Sequence, residues 1–273
     1  VSHQARYEVE GIRCIGIPFQ YSSWTNRPLR RLADWDWYYG FFNPAFGKSL
    51  RKSVEEFGPD VIHCQFGTDG LLFLDHFPNE RKIPVFIQFR GYDASYMYTK
   101  KSYLRRLGNF FDKPWIHPIY VSRHQYNRTL MLGLQPDKRR VLYSCTDTDF
   151  FAYTPKLNDP GKSAFKFLQV GRLVEGKGHE FTLLAFQKIL LYLDNVGKNA
   201  TLSFVGGGEL EASLKLKCKE LGLSGLVNFF NSVSQKEVML YLKETDFFLH
   251  PSLITSVGRI EGIPNAIMEA LAI

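Results

Sequence analysis

Near the end of the chain two carboxylates, Glu261 and Glu269, are separated by seven residues that begin Gly262-Ile263-Pro264-Asn265. Gly262 and Pro264 keep Glu261 in a loop, and Pro264 suits the opening of a helix that reads from Asn265 to Ala272. Glu261 therefore projects from a loop at a helix N-terminus, and Glu269 rides further up that helix. Free N–H groups and the positive end of the helix dipole suit a phosphate there. An acid on each side of a phosphate suits a nucleotide-sugar, whose hydroxyls need acceptors on both sides of the diphosphate. Acid pairs at fixed spacing also occur on ordinary surface helices, so the pair alone leaves both readings open.

Cations for such a diphosphate come from another strand end. A strand over Phe165–Val170 runs into Gly171-Arg172-Leu173-Val174-Glu175-Gly176-Lys177-Gly178 and then a helix. Ligands of open α/β sheets bind at the carboxyl ends of strands. Arg172 offers a planar fork to phosphate oxygens and Lys177 a mobile point charge. A basic surface loop is the plainer alternative. The following strand ends at Val205-Gly206-Gly207-Gly208-Glu209, a glycine turn but not a dinucleotide fingerprint, because Glu211 stands where a third glycine is required. A further loop, His250-Pro251-Ser252 to Gly258, leads into Glu261. Successive strand ends thus converge with Gly, Arg, Lys, Ser and Glu.

The elements that would position these loops alternate. Strands read near Arg13–Ile17, Val61–Phe66, Val85–Phe89, Ile119–Val121 and Val141–Tyr143, then near Phe165–Val170, Leu202–Val205, Val227–Phe230 and Phe247–Leu249. Helices read over Glu180–Leu193, Glu209–Leu221 and Lys236–Thr245. Near-continuous apolar strands between helices predict parallel sheets covered on both faces. Ser234 with Glu237 has capping-box spacing, as has Ser122 with Gln125, whose helix should stop at Gly133. Pro155, Pro160 and Gly161 mark a linker over Tyr153–Ser163. The fold expected is α/β, with doubly wound domains over residues 1–153 and 164–273 facing a cleft.

The 273 residues are 45% hydrophobic and 22% charged, which is ordinary globular composition. The net charge of +7 is uneven: residues 1–155 hold 21 Lys/Arg against 15 Asp/Glu, and the rest 13 against 12. The excess clusters at Arg27–Arg31, at Lys100, Lys101, Arg105 and Arg106, and at Lys138–Arg140. Such patches attract anionic lipid, nucleic acid or acidic substrates, or simply form a solvated basic face. Cys14, Cys64, Cys145 and Cys218 have no metal-ligand spacing and read as reduced thiols of a cytosolic protein. No apolar run reaches the length of a membrane span. Asp147-Thr148-Asp149 has the spacing of an acidic metal motif but lies at the domain boundary and reads as structural.

The segment from Phe167 to Ala272 resembles the retaining glycosyltransferases of family 4, which have the GT-B fold. Val170-Gly171-Arg172-Leu173-Val174 with Lys177-Gly178, Val205 to Glu209, Pro251-Ser252 and Glu261-x7-Glu269 carry the resemblance. Asp60 to His63, Phe89 to Asp93, Val121-Ser122 and Val141 to Phe150 extend it over the first half. The resemblance implies that Arg172 and Lys177 hold the donor diphosphate, that Glu261 contacts the donor sugar, and that Glu269 holds the ribose. It places Gly171, Gly206, Gly208 and the backbone around Gly262, Ile263 and Asn265 on the donor, and His63, Arg90, Asp93 and Ser122 on the acceptor side. The activity implied is transfer of a hexose, with retention and without a metal or cofactor, from a UDP- or GDP-linked sugar to a cell-surface polysaccharide (lipopolysaccharide or exopolysaccharide) or a glycolipid. Partners implied are the nucleotide-sugar, a glycan or lipid-linked acceptor and the anionic inner face of a membrane, from a cytoplasmic location and without nucleic acid.

The chain departs from that pattern. Arg90-Gly91 stands where many relatives have His-Gly, which keeps open a second reading, a nucleotide-sugar or phosphosugar binder that does not catalyse. Asn231 and Gly176 replace Gly and Lys, and His63 reads equally as a core or a site residue. The chain also reads as truncated at both ends, with an incomplete second domain and little activity expected of these residues alone.

Overall fold

The computed structural model describes residues 5–9, 12–16, 44–77, 82–133, 139–155, 159 and 161–273. Ile17, Arg27–Arg31, Lys138 and part of the expected linker lie outside them. Strands β1 (Ala5–Val9) and β2 (Ile12–Gly16) pair antiparallel in a sheet of their own, from Ala5↔Gly16 to Val9↔Ile12. A parallel β2 was expected. Only Glu10 and Gly11 separate the strands, and a parallel pair needs a far longer crossover.

The chain forms two compact units, Val1–Tyr143 and Ser144–Ile273. In the first, α1 (Pro44–Phe57) precedes β3 (Ile62–Cys64), α2 (Gly67–His76), β4 (Val85–Phe89), α3 (Lys101–Phe111), β5 (Ile116–Tyr120), α4 (Arg123–Met131) and β6 (Arg140–Val141). Strands β3-β4-β5-β6 pair in parallel in that order. Val85, Ile87, Phe89, Ile116 and Tyr120 alternate along β4 and β5 and are completely buried. Strand β3 stops short of the expected Phe66 because the Asp93 carboxylate accepts the Gly67 N–H at 2.8 Å and α2 begins there.

Ser122 caps α4, its hydroxyl accepting the Gln125 N–H at 3.2 Å, and Gly133 follows the helix with φ 69°. The expected return bond of a capping box is not formed there. The Gln125 amide is buried and oriented to donate to the Phe89 carbonyl (3.0 Å) and accept from the Gly91 N–H (3.1 Å).

In the second unit, β7 (Ala164–Val170), α5 (His179–Asn195), β8 (Asn199–Val205), α6 (Glu211–Glu220), β9 (Val227–Phe230), α7 (Gln235–Glu244), β10 (Phe247–Phe248) and α8 (Asn265–Ala272) build a parallel sheet in the order β10-β7-β8-β9. Consecutive strand residues point to opposite faces. Phe167, Leu202 and Phe204 therefore pack with Leu183 and Phe186 of α5 on one face, and Leu168 and Val205 with Leu242 of α7 on the other. Residues 144–153 join this unit, where Phe151 is fully buried in the second cluster. The capping box expected on α7 is complete: Ser234 Oγ accepts the Glu237 N–H at 3.3 Å, and Glu237 Oε2 accepts the Ser234 N–H at 2.8 Å. Among the described residues no helix is long and apolar enough to cross a membrane.

Candidate active site

The loops that leave β7, β8 and β10 interlock by backbone hydrogen bonds. Gly171 N–H donates to Val205 O (3.0 Å), Leu173 N–H to Gly207 O (3.0 Å), Leu210 N–H to Leu173 O (3.0 Å) and Leu253 N–H to Gly176 O (2.9 Å). Such close approach excludes side chains: a Cβ on Gly206 would lie 2.2 Å from Gly171 O, and one on Gly208 2.4 Å from Leu173 O.

Gly178 is the tightest of these contacts and opens α5 with φ 66°. A Cβ there would sit 2.1 Å from Pro251 O. Gly197 has the same φ of 66°, and a Cβ there would meet nothing within 4 Å, so it isolates the backbone cost. We expect Gly197→Ala to cost about 1 kcal/mol in urea unfolding and Gly178→Ala about 3 kcal/mol or more. Equal losses would show that the Pro251 contact contributes nothing.

Lys177 sits on a short 3-10 turn, Glu175–Lys177, between β7 and α5. Its carbonyl accepts from Gln169 Nε2 at 2.7 Å, and Gln169 Oε1 accepts from Thr182 Oγ1 at 2.6 Å. Gln169 is 0% exposed, so Lys177 is fixed at its backbone and free only along its side chain. Its ammonium pairs with Glu261 Oε1. Glu261 Oε2 accepts from the Ser252 hydroxyl and lies 3.2 Å from His250 Nε2. The His250 side chain is 3% exposed and lies 3.5 Å from Lys177 Nζ. Burial alone would raise the Glu261 carboxyl, but hydrogen bonds from His250, Lys177 and Ser252, and the charge of Lys177, hold it down at about 2.

Beyond Glu261, the N–H groups of Gly262, Ile263 and Asn265 have no acceptor among the described residues, and α8 points its N-terminus at the same loop. Arg172 is exposed and makes no ion pair among the described residues. Among the described residues Glu269 shares no hydrogen bond or ion pair with the Lys177 cluster. It is half-buried on α8 and hydrogen-bonded with Gln235, and burial raises its carboxyl against that bond.

Sequence reasoning missed three residues of this site. His250 and Gln169 gave no signal beyond their place in a strand or at its end. His179, the first residue of α5, is buried edge-on against Phe204. Its burial, with His250 and Lys177 nearby, lowers its imidazole to about 4, and neither ring nitrogen has a hydrogen-bond partner among the described residues.

The first unit gathers its own strand-end residues. Arg90 Nη1 donates to Gln65 Oε1 at 2.8 Å, and Gln65 Nε2 lies 3.4 Å from Nδ1 of the exposed His63. Asp93, expected on the acceptor side, is 0% exposed and accepts the N–H groups of Gly67 (2.8 Å), Arg90 (3.0 Å) and Gly91 (2.8 Å). Its oxygens accept backbone N–H groups, so it shapes the loop from within. Ser122 is the α4 cap already described. Asp147 Oδ1 accepts the N–H groups of Asp149 and Phe150, both at 2.9 Å, which closes its own turn.

Two family models match. Residues 16–150 match Glycosyltransferase Family 4, and residues 154–273 match Glycosyl transferases group 1. The chain is 32% identical over 234 residues to the amylovoran biosynthesis glycosyltransferase AmsK of Erwinia amylovora, covering 82% of this chain and 54% of that protein. Among solved structures it resembles sucrose-phosphate synthase of Thermosynechococcus elongatus, with TM-score 0.69, 18% identity and coverage of 97% of this chain and 65% of that one. It also resembles HepE of Anabaena solved with UDP, with TM-score 0.64, 15% identity and coverage of 84% and 61%. With both halves matched and a parallel-sheet α/β fold in each unit, the chain belongs to the family 4, group 1 glycosyltransferases.

Proposed function

We propose that the complete protein transfers a hexose from a UDP- or GDP-linked donor to a growing polysaccharide or glycolipid, with retention and without a metal. The observation that carries this reading is the Lys177–Glu261 pair beside the open N–H groups of Gly262, Ile263 and Asn265. A cation, a carboxylate and a helix N-terminus on one loop cluster provide a holder for a diphosphate and an acceptor for a sugar hydroxyl. As the bond from the sugar C1 to the phosphate oxygen breaks, charge grows on the departing diphosphate. Lys177, Arg172 and the α8 N–H groups stabilise it there. The acceptor hydroxyl forms the new bond to C1 on the same face, and its proton passes to the released phosphate oxygen. Glu269 is assigned to the ribose, and His63, Arg90 and Ser122 to the acceptor side. AmsK, by its name an amylovoran biosynthesis glycosyltransferase, supports the acceptor class, and HepE, solved with UDP, supports the donor class. The chain spans 54% of the AmsK length. A cytoplasmic location, with peripheral contact of the basic first half against anionic lipid, completes the proposal.

The alternative, donor binding without transfer, rests on Arg90 in the place of His. Incubating the complete protein with a panel of UDP- and GDP-sugars separates the readings. We expect one donor to raise the unfolding temperature and to release nucleoside diphosphate in the presence of a glycan or lipid-linked acceptor. Stabilisation without release would favour the binder; neither effect with any donor would overturn both.

A further inference from the structure

Glu261 is held through two separate handles. Oε1 faces Lys177, while Oε2 faces His250 and Ser252. The proposed function, on which this inference rests, requires Lys177 to turn its ammonium to the donor phosphate. Oε1 then loses its partner, and whatever keeps the carboxylate aimed at the sugar must act through Oε2. Ser252 is exposed, whereas the His250 side chain is 3% exposed and stacks on Phe248 at 6.1 Å between centroids and 13° between planes. We propose that His250 is the positioning residue of this site, keeping the Glu261 carboxylate in register when Lys177 leaves it for the donor.

The tautomer follows from the neighbours. An ionised carboxylate only accepts, so the proton facing Glu261 Oε2 must sit on His250 Nε2. The Lys177 ammonium, 3.5 Å from the same nitrogen, is then a second donor and not a partner. His250 Nδ1 is buried with no hydrogen-bond partner among the described residues. His250 therefore presents its Nε2 N–H to one carboxylate oxygen.

Replacing that N–H at the same place should restore it, and replacing it elsewhere should not. The Gln amide nitrogen reaches the position of Nε2, and the Asn amide stops near that of Nδ1. In the complete protein, with the donor identified in the panel, we expect kcat of His250→Gln within about tenfold of the parent. His250→Asn and His250→Phe should fall on the order of a hundredfold, the size of effect that a misplaced reacting group produces. Dissociation constants for free UDP or GDP, by calorimetry, should stay within about twofold in all three, because the diphosphate is held by Lys177 and the α8 N–H groups. Retained nucleotide binding also shows that each variant is folded. Equal losses of kcat in the Gln and Asn variants, or nucleotide affinity falling in step with kcat, would overturn the proposal. Lys177→Ala alongside separates the two levels: intact nucleotide binding there would remove the donor assignment itself, whereas lost binding there with equal Gln and Asn variants would remove only His250.

Discussion

Lys177→Ala in the complete protein is expected to lower sugar transfer about a thousandfold. It should also weaken UDP or GDP binding by more than one missing contact explains. Removing a single preorganised group that stabilises developing charge costs on the order of 10²–10³ in rate. Here the loss is compounded, because the alanine variant leaves the Glu261 carboxylate without its cation and next to the incoming diphosphate. Like charges at such range repel by a few kcal/mol at an effective dielectric near 20, less whatever salt screens. The double variant Lys177→Ala/Glu261→Gln should therefore bind nucleotide better than Lys177→Ala alone while remaining inactive. Calorimetry and a nucleotide-release assay on the four proteins of that cycle give the coupling directly. Additive binding losses would mean that the pair does not compete with the donor.

Glu261→Gln should separate binding from chemistry in the opposite direction. The unliganded site neutralises itself, so a donor must displace an internal carboxylate from Lys177 before it is held. With the amide in place Lys177 is released, and free UDP or GDP should bind about tenfold tighter, a change of about 1.4 kcal/mol. Transfer should nonetheless fall a hundredfold or more, since an amide cannot replace the negative acceptor facing the sugar. The same variant carries a pH signature. The Glu261 carboxyl is held at about 2 against an ordinary 4.5, so its contribution to stability is present above pH 4.5 and lost as pH falls towards 2. That span corresponds to roughly 3 kcal/mol. Urea unfolding of parent and variant should therefore differ at pH 6 and converge near pH 2. Weaker nucleotide binding by the glutamine variant would show that Glu261 helps to hold the diphosphate rather than competing with it.

Local pattern made a good part of this legible. Helix α8 spans Asn265–Ala272, and strands β4 and β9 span Val85–Phe89 and Val227–Phe230, the limits that turn residues and apolar runs mark in the sequence. The meeting of Lys177 with Glu261 was also within reach, because both lie on loops at strand carboxyl ends of one sheet. What could not be read depends on contacts between residues remote in sequence. The start of α2 is set by Asp93, 26 residues away, so β3 ends before its apolar run does. Asp93 looks like a ligand in a loop motif until the three N–H groups that consume it are seen. His250 and Gln169 acquire their roles only from the side chains buried with them. The β1–β2 hairpin is different in kind: its two-residue connection was visible, but one of its strands was read alone.

The anchoring of the Lys177 carbonyl by Gln169, and of Gln169 by Thr182, has a consequence for kinetics. With the main chain pinned, the exchange of carboxylate for phosphate needs only the rotation of one aliphatic side chain, whereas loop closures take microseconds or longer. Nucleotide capture by this half of the molecule is thus paced by diffusion rather than by a closing loop, and differences in affinity among variants of the site appear in the rate of release.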